Sequence, residues 1–210
     1  MTLHFEKPLI YLITKGEAAA DNFGEKSREI LDIVRIAVEE NVPLVQLREK
    51  QLTGRNLFEL TCQVVELTRG SKTKVLINDR ADIAFAGGAD GVHLTSTSLP
   101  VDVIRARFST DFLIGISTHT SVEVTDAANR GADFAVFGPV FATPGKGEAV
   151  GIQSLSSVCS SSNSFPVIAL GGVDESNYDS VLTAGAAGFA AIRWLNATDS
   201  LRSVAKDLNR

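Results

Sequence analysis

Several phrases in this 210-residue chain carry side chains that hold anions or move protons. In Gln46-Leu47-Arg48-Glu49-Lys50, an amide and two cations stand at alternate positions. Alternate residues of an extended strand share a face, so Gln46, Arg48 and Lys50 would converge while Leu47 points away. Such a set suits a phosphate or diphosphate clamp, and equally a solvated turn salt-bridged to Glu49. Asn78-Asp79-Arg80 offers an acceptor and a carboxylate, either for a ligand or Mg²⁺ or to cap the following helix. Ser117-Thr118-His119-Thr120 sets hydroxyls around a histidine, the side chain best suited to acid–base work near neutral pH. The stretch Gly138–Gly147 carries Thr143 and one lysine, Lys146, bracketed by glycines. It reads as a loop that brings a cation over a substrate. Gly171-Gly172 can let backbone N–H groups approach an anion closely. Ala191-Ile192-Arg193-Trp194 places a guanidinium after the last apolar run.

Each phrase follows a short apolar run. The runs are Leu9–Thr14, Leu44–Arg48, Lys74–Ile77, Gly91–Leu94, Leu113–Ser117, Phe134–Gly138, Val167–Leu170 and Gly188–Ile192. Runs this short and this apolar fit strands buried on both faces of a parallel sheet. Amphipathic stretches separate them. Ser27–Glu40 places Ile30, Ile33, Val34 and Ala37 on one helical face. Thr53 is placed to cap the helix that carries Leu57, Leu60, Cys62 and Val64. Pro100 opens a helix with Val101, Ile104 and Phe108. Ser121 begins another, with Glu123 in its first turn. Asp174 precedes a helix over Glu175–Ala184, and Asp199 precedes the last one. A joint recurs at Gly88-Ala89-Asp90-Gly91, Gly131-Ala132-Asp133-Phe134 and Gly185-Ala186-Ala187-Gly188, where the first Gly suits a helix C′ position. Eight such alternations predict one TIM-type (β/α)8-barrel domain over 1–210. An open doubly wound sheet is disfavoured, because no Gly-x-Gly-x-x-Gly follows the first strand. In a barrel the strand C-termini carry the active site, and phosphate is often bound after the seventh and eighth strands.

Composition agrees with an ordinary globular protein: 44% apolar and 21% charged residues. The net charge of −5 argues against a nucleic-acid partner. Cys62 and Cys159 are expected as reduced core residues. No apolar run reaches signal-peptide or membrane-span length, so no membrane partner and a cytoplasmic location are expected. An exposed apolar helix face would support a homodimer.

The phrases Gln46–Lys50, Ile77–Ala84 with Gly88–Leu94, Gly115–Thr120, Gly131–Phe141, and Pro166–Val173 with Ala184–Gly188 follow one another in the order found in the thiamine phosphate synthase/TenI family, which the chain resembles through most of its length. The resemblance implies a TIM barrel in thiamine biosynthesis and one of two reactions. A synthase joins hydroxymethylpyrimidine diphosphate to thiazole phosphate and releases diphosphate with Mg²⁺. A TenI-like tautomerase aromatises thiazole phosphate carboxylate through a histidine and needs no metal. For the synthase, the resemblance implies diphosphate contacts from Gln46, Arg48, Lys50, Asn78 and Lys146, with Asp79 on Mg²⁺. It implies thiazole-phosphate contacts from Thr143, Gly172 and the backbone after the eighth strand.

Three departures bear on the choice. Where the synthase pattern has a second Mg²⁺-binding Asp, this chain has Ser98, in His93-Leu94-Thr95-Ser96-Thr97-Ser98. A hydroxyl is a poor substitute for a carboxylate on a hard cation. The lid reads Thr143-Pro144-Gly145-Lys146 in place of Thr-Lys-Lys, and Arg193 stands where a small Ser is usual. The sequence therefore favours the tautomerase, with His119 and Lys146 as catalytic residues. Ser117, Gly171, Gly172 and Arg193 would serve the substrate. The synthase is the alternative. A non-catalytic phosphate-ligand sensor is a third reading, disfavoured by the retained His119 and Lys146.

Overall fold

The computed structural model describes residues 8–209. Eight strands pair in sequence order into a closed barrel: β1 (Leu9–Ile13), β2 (Leu44–Leu47), β3 (Lys74–Asn78), β4 (Gly91–Leu94), β5 (Leu113–Thr118), β6 (Phe134–Phe137), β7 (Val167–Leu170) and β8 (Gly188–Ala191). The helices are α1 (Phe23–Glu39), α2 (Gly54–Thr68), α3 (Ala81–Ala86), α4 (Val101–Arg105), α5 (Ser121–Asn129), α6 (Gly151–Ser161), α7 (Tyr178–Thr183) and α8 (Thr198–Asn209). All eight strands match the apolar runs. Those of β1, β2, β4, β6 and β8 are buried along their whole length, as parallel strands covered on both faces must be.

By density of internal contacts the chain forms two compact units. One holds the described residues 8–10 with His93–Ala191, and the other holds Tyr11–Val92 with residues 192–209. In the second, Tyr11 pairs with Leu44 and Leu44 with Lys74, all parallel. In the first, Gly115 pairs with Phe134, Ala135 with Val167, and Ile168 with Gly188.

The recurring joint has a physical cause. Gly88, Gly131 and Gly185 adopt positive φ (74°, 92° and 93°), which only glycine adopts without strain. The residue two further on then donates to the start of an earlier strand: Asp90 N to Val75 O, Asp133 N to Ile114 O, and Ala187 N to Val167 O, each 2.8–2.9 Å. The two aspartates answer in the other direction. Asp90 accepts from Val75 N at 2.9 Å and Asp133 from Ile114 N at 2.7 Å. Asp133 also pairs with Arg105 at 2.6 Å.

Helix boundaries depart from expectation in several places. Helix α1 begins at Phe23, a turn before Ser27. Thr53 caps α2 as expected, accepting from Asn56 N at 3.2 Å. Its inner face carries Thr61 in place of Cys62, and the Thr61 hydroxyl bonds back to Leu57 O. Both cysteines are free and only half-buried, so neither is a core residue. Pro100 is the N-cap of α4 and Phe108 lies beyond that helix, stacked on Phe112 with ring centroids 4.4 Å apart. Thr120 and Glu123 form a capping box on α5. Helix α7 begins at Tyr178, because Asp174 and Asn177 close a turn on each other. Asp174 N donates to Asn177 Oδ1, and Asp174 Oδ1 accepts from Ser176. Asp199 lies inside the first turn of α8, not before it. No helix among the described residues is long and apolar enough to cross a membrane.

Candidate active site

In the unit built on β1, β2 and β3, the strand ends are braced by polar bonds. Gln46 is 1% exposed, and its Nε2 donates to the Tyr11 hydroxyl at 2.9 Å. Burial raises the Tyr11 phenol far above its ordinary pKa, with the Gln46 bond acting weakly the other way. The phenol therefore stays protonated. Arg48 N donates to Thr14 Oγ1 at 2.8 Å, tying the end of β2 to the end of β1. Glu49 is 3% exposed and accepts from Gly16 N (3.0 Å) and Ala18 N (2.8 Å). This carboxylate organises the loop after β1, so the expected salt-bridged turn at Glu49 does not form. Arg48 is left half-buried and Lys50 exposed. Leu47 pairs with Ile77, so Arg48 and Asn78 follow at the same level of adjacent strands.

Asn78 is half-buried at the end of β3, and exposed Asp79 follows in the left-handed region at φ 65°. The N-cap position of α3 is Arg80, whose side chain makes no capping bond. Arg80 is spent on Asp82 (2.6 Å), whose carboxyl is held below the usual range chiefly by that bond. Arg193 lies exposed in the turn after β8.

In the unit built on β5, β6 and β7, a buried polar pair stands on β4 and β5. His93, 3% exposed, bonds Ser117 Oγ through Nε2 at 3.0 Å. Sequence reasoning used His93 only as a landmark. The signal for more was a lone histidine within the apolar run Gly91–Leu94. His119 is exposed after β5, and its Nδ1 bonds the Gly138 carbonyl. A carbonyl only accepts, so Nδ1 carries a proton in this contact.

The loop after β6 is pinned at its base and open at its tip. Val140 N donates to Leu170 O, Phe141 N to Gly171 O and Val150 N to Pro139 O, at 2.8–2.9 Å. Thr143 Oγ1 donates to Phe141 O at 3.0 Å. Lys146 stands exposed at the tip, its N–H on Thr143 O. Gly171 and Gly172 have φ of 98° and 66°. A Cβ on Gly171 would lie 2.5 Å from Pro139, and one on Gly172 2.7 Å from Phe141 Cβ. The glycines are thus required by the base of this loop. Among the described residues neither of their amide N–H groups has an acceptor. The segment after β4 closes on itself: Ser98 Oγ accepts from Thr95 N at 2.7 Å and lies 3.1 Å from Thr95 Oγ1. No group of three or more His, Cys, Asp or Glu able to hold a metal occurs among the described residues.

A closed parallel barrel with cations, an amide, hydroxyls and histidines at its strand ends has the architecture of an enzyme for small phosphorylated substrates. The match is specific over residues 10–195: this chain belongs to the thiamine monophosphate synthase (TMP-TenI) family of thiamine-biosynthesis enzymes. It is 37% identical to a thiamine-phosphate synthase of Caldanaerobacter subterraneus, over 89% of this chain and 92% of that one. A Geobacter sulfurreducens protein, named provisionally for the same activity, is 42% identical over 95% of this chain and 92% of its own length. Among solved structures, thiamine phosphate pyrophosphorylase from Pyrococcus furiosus superposes with a TM-score of 0.79 at 28% identity, covering 95% of this chain and 96% of that one. The relatives' names weigh towards the synthase, against the preference drawn from Ser98.

Proposed function

We propose that this chain is a thiamine-phosphate synthase, joining hydroxymethylpyrimidine diphosphate to thiazole phosphate. The observation that carries the reading is the set of groups at the ends of β2 and β3. Arg48 and Asn78 leave the sheet at one level, with Lys50 and Asp79 beside them. A diphosphate needs such a set, and a proton shuttle on a phosphorylated thiazole does not.

In this reaction the thiazole nitrogen supplies the electron pair for a new C–N bond to the pyrimidine methylene. The methylene–oxygen bond breaks, and diphosphate leaves with its electron pair. Arg48 and Lys50 hold the diphosphate and meet its growing negative charge, and Asn78 donates to its oxygens. The Glu49 brace keeps Arg48 and Lys50 oriented before substrate arrives, and Gln46 is fixed beside them on Tyr11. In the other unit, Ser117, fixed on His93, and exposed Lys146 also serve the substrate. The amides of Gly171 and Gly172, with the Thr143 hydroxyl, take the thiazole phosphate.

Mg²⁺ is commonly held by one or two carboxylates plus substrate phosphate oxygens. Asp79 supplies one carboxylate, and the Ser98 hydroxyl is turned onto Thr95. The donors therefore fit a Mg²⁺ bound by Asp79 and largely by the substrate. When bound, it neutralises part of the departing diphosphate's charge.

The test is formation of thiamine phosphate from the two substrates, followed by fluorescence after oxidation, with and without Mg²⁺. Product that depends on Mg²⁺ and falls at least about 100-fold in Arg48→Ala supports the reading. No product at saturating substrates and Mg²⁺ refutes it. A second reading, the thiazole phosphate carboxylate tautomerase, is favoured by the Ser98 hydroxyl, bonded to Thr95, and by the exposed His119 ring. Aromatisation of that substrate, lost in His119→Asn, would establish it.

A further inference from the structure

Several cations on the outer helices are neutralised by neighbours: Arg35 meets Asp32, Arg69 meets Glu66, Arg130 meets Asp102 and Asp126, and Arg202 meets Glu39 and Glu40. The C-terminal ends of β1 and β2 differ. Lys15, Arg48 and Lys50 follow these strands, and none of the three side chains has an acceptor among the described residues. Glu49, the carboxylate between two of them in sequence, is committed to the Gly16 and Ala18 amides.

Lys15 joins the group by register. Ile13 pairs with Gln46 and Leu47 with Ile77, so Lys15, Arg48 and Asn78 follow at one level on three neighbouring strands. The backbone is held on both sides of Lys15: Thr14 N donates to Gln46 O and Gly16 N to Glu49, each at 3.0 Å. Gly16, at φ 79°, leaves room for Arg48. A Cβ there would stand 3.1 Å from Arg48 O and 3.2 Å from Arg48 Nη1. The Arg48 guanidinium thus lies against the residue next to Lys15. Lys15 is exposed and borders a cavity of about 270 Å³, which leaves its amine room to move. The other carboxylates lining that cavity are engaged elsewhere: Glu17 and Glu29 are on Lys26, and Asp32 is on Arg35. Unneutralised cations on adjoining strand ends repel one another, and a multiply charged anion among them replaces repulsion with attraction. A lysine supplies a compact charge with three donors on a long stem, suited to the spread oxygens of a diphosphate.

We propose that Lys15 is a further diphosphate-binding residue, gripping the diphosphate with Arg48 and Lys50 by charge and without need of a metal. No residue after β1 is among the diphosphate contacts that the family resemblance implies. That the natural ligand is the pyrimidine diphosphate rests on the function proposed above, whereas the grip itself is measurable without turnover.

The test is calorimetric binding of inorganic diphosphate to the full chain in EDTA, for the wild type, Lys15→Met, Lys15→Arg and the control Lys72→Met. Lys72 is equally exposed but precedes β3, at the opposite end of the strands. Lys15→Met should weaken diphosphate about 10-fold, leave thiazole phosphate affinity unchanged and leave thermal unfolding where it was. Lys15→Arg should recover most of the loss, and Lys72→Met should bind as the wild type does. Equal affinity of Lys15→Met and wild type for diphosphate overturns the proposal, as does a wild type that binds no diphosphate in EDTA. An equal loss in Lys72→Met overturns it too, because it marks an effect of net charge. A loss in Lys15→Met that Lys15→Arg does not recover, with a lowered Tm, marks a structural lysine and also overturns it. Diphosphate binding that depends on Lys15 in a protein that forms no thiamine phosphate refutes the synthase reading alone. Thiamine phosphate formation with Lys15→Met affinity unchanged refutes the Lys15 role alone.

Discussion

Glu49 gives the sharpest test of how the strand ends are built. Its carboxylate is 3% exposed and accepts two backbone N–H groups, from Gly16 at 3.0 Å and Ala18 at 2.8 Å. A hydrogen bond to a charged partner contributes about 1.5–3 kcal/mol, and a buried donor left without its acceptor costs about 1–3 kcal/mol. Glu49→Gln keeps one acceptor oxygen but turns an NH₂ towards the other amide, donor against donor. The expected cost is about 2–3 kcal/mol. For a chain of this size each kcal/mol lowers Tm by about 2–4 °C, so Glu49→Gln should melt about 4–12 °C below the wild type. Glu49→Ala leaves both amides unanswered and should fall further. Differential scanning calorimetry reads the stability. The same variants, assayed below their melting range, should show a raised KM for the pyrimidine diphosphate, because Arg48 and Lys50 flank the lost brace. A Glu49→Gln protein that melts within about 1 °C of the wild type would refute the bracing role outright. A lowered Tm with KM unmoved would confine Glu49 to stability.

Gly172→Ala forces a Cβ to 2.7 Å from Phe141 Cβ at a φ of 66°. It should cost about 2–4 kcal/mol and raise the KM for thiazole phosphate, and a variant with wild-type Tm and KM would show that the base of the β6 loop yields freely. The two joint aspartates should rank by burial: Asp133→Ala breaks bonds to Ile114 N and Arg105 with 15% of its side chain exposed, while Asp90, at 29%, bonds Val75 N and Lys74. Asp133→Ala should lower Tm more than Asp90→Ala in matched melts, about 2–4 against 1–2 kcal/mol, and the reverse order would contradict the joint's energetics. Burial pushes the Cys159 thiol up to about 11. It should therefore hold about 100-fold less thiolate than a free cysteine at pH 8, and alkylation followed by peptide mass spectrometry should accelerate only as the pH nears 11. Fast labelling of Cys159 at pH 8 would show that its helix opens.

The barrel was legible because strand and joint signals are local. A parallel strand covered on both faces must be apolar along its length, so Val167–Leu170 or Phe134–Phe137 announces itself without reference to the rest of the chain. The glycine of the recurring joint works in the same way, since its positive φ is a local property, whereas the bonds of Asp90 and Asp133 to Val75 and Ile114 lie 15 and 19 residues back. Helix α7 misled because Asp174 can cap a helix or close a turn, and Asn177, three residues on, decides for the turn. The site was legible in residue type but not in commitment. Gln46 shares its face with Arg48 in sequence, yet its amide belongs to Tyr11, 35 residues away. Glu49 reads as a solvated carboxylate until the amides of Gly16 and Ala18, more than 30 residues earlier, are found on it. The buried pair of His93 and Ser117 joins residues 24 apart on neighbouring strands. Ser98 shows where the two kinds of knowledge divide. That Ser98 stands where the family resemblance implies a carboxylate is plain from the sequence. That the hydroxyl in its place closes on Thr95 appears only in the fold. A side chain already bonded to its own loop resists recruitment to a metal, so restoring metal affinity by Ser98→Asp would require that loop to open as well as the charge to return.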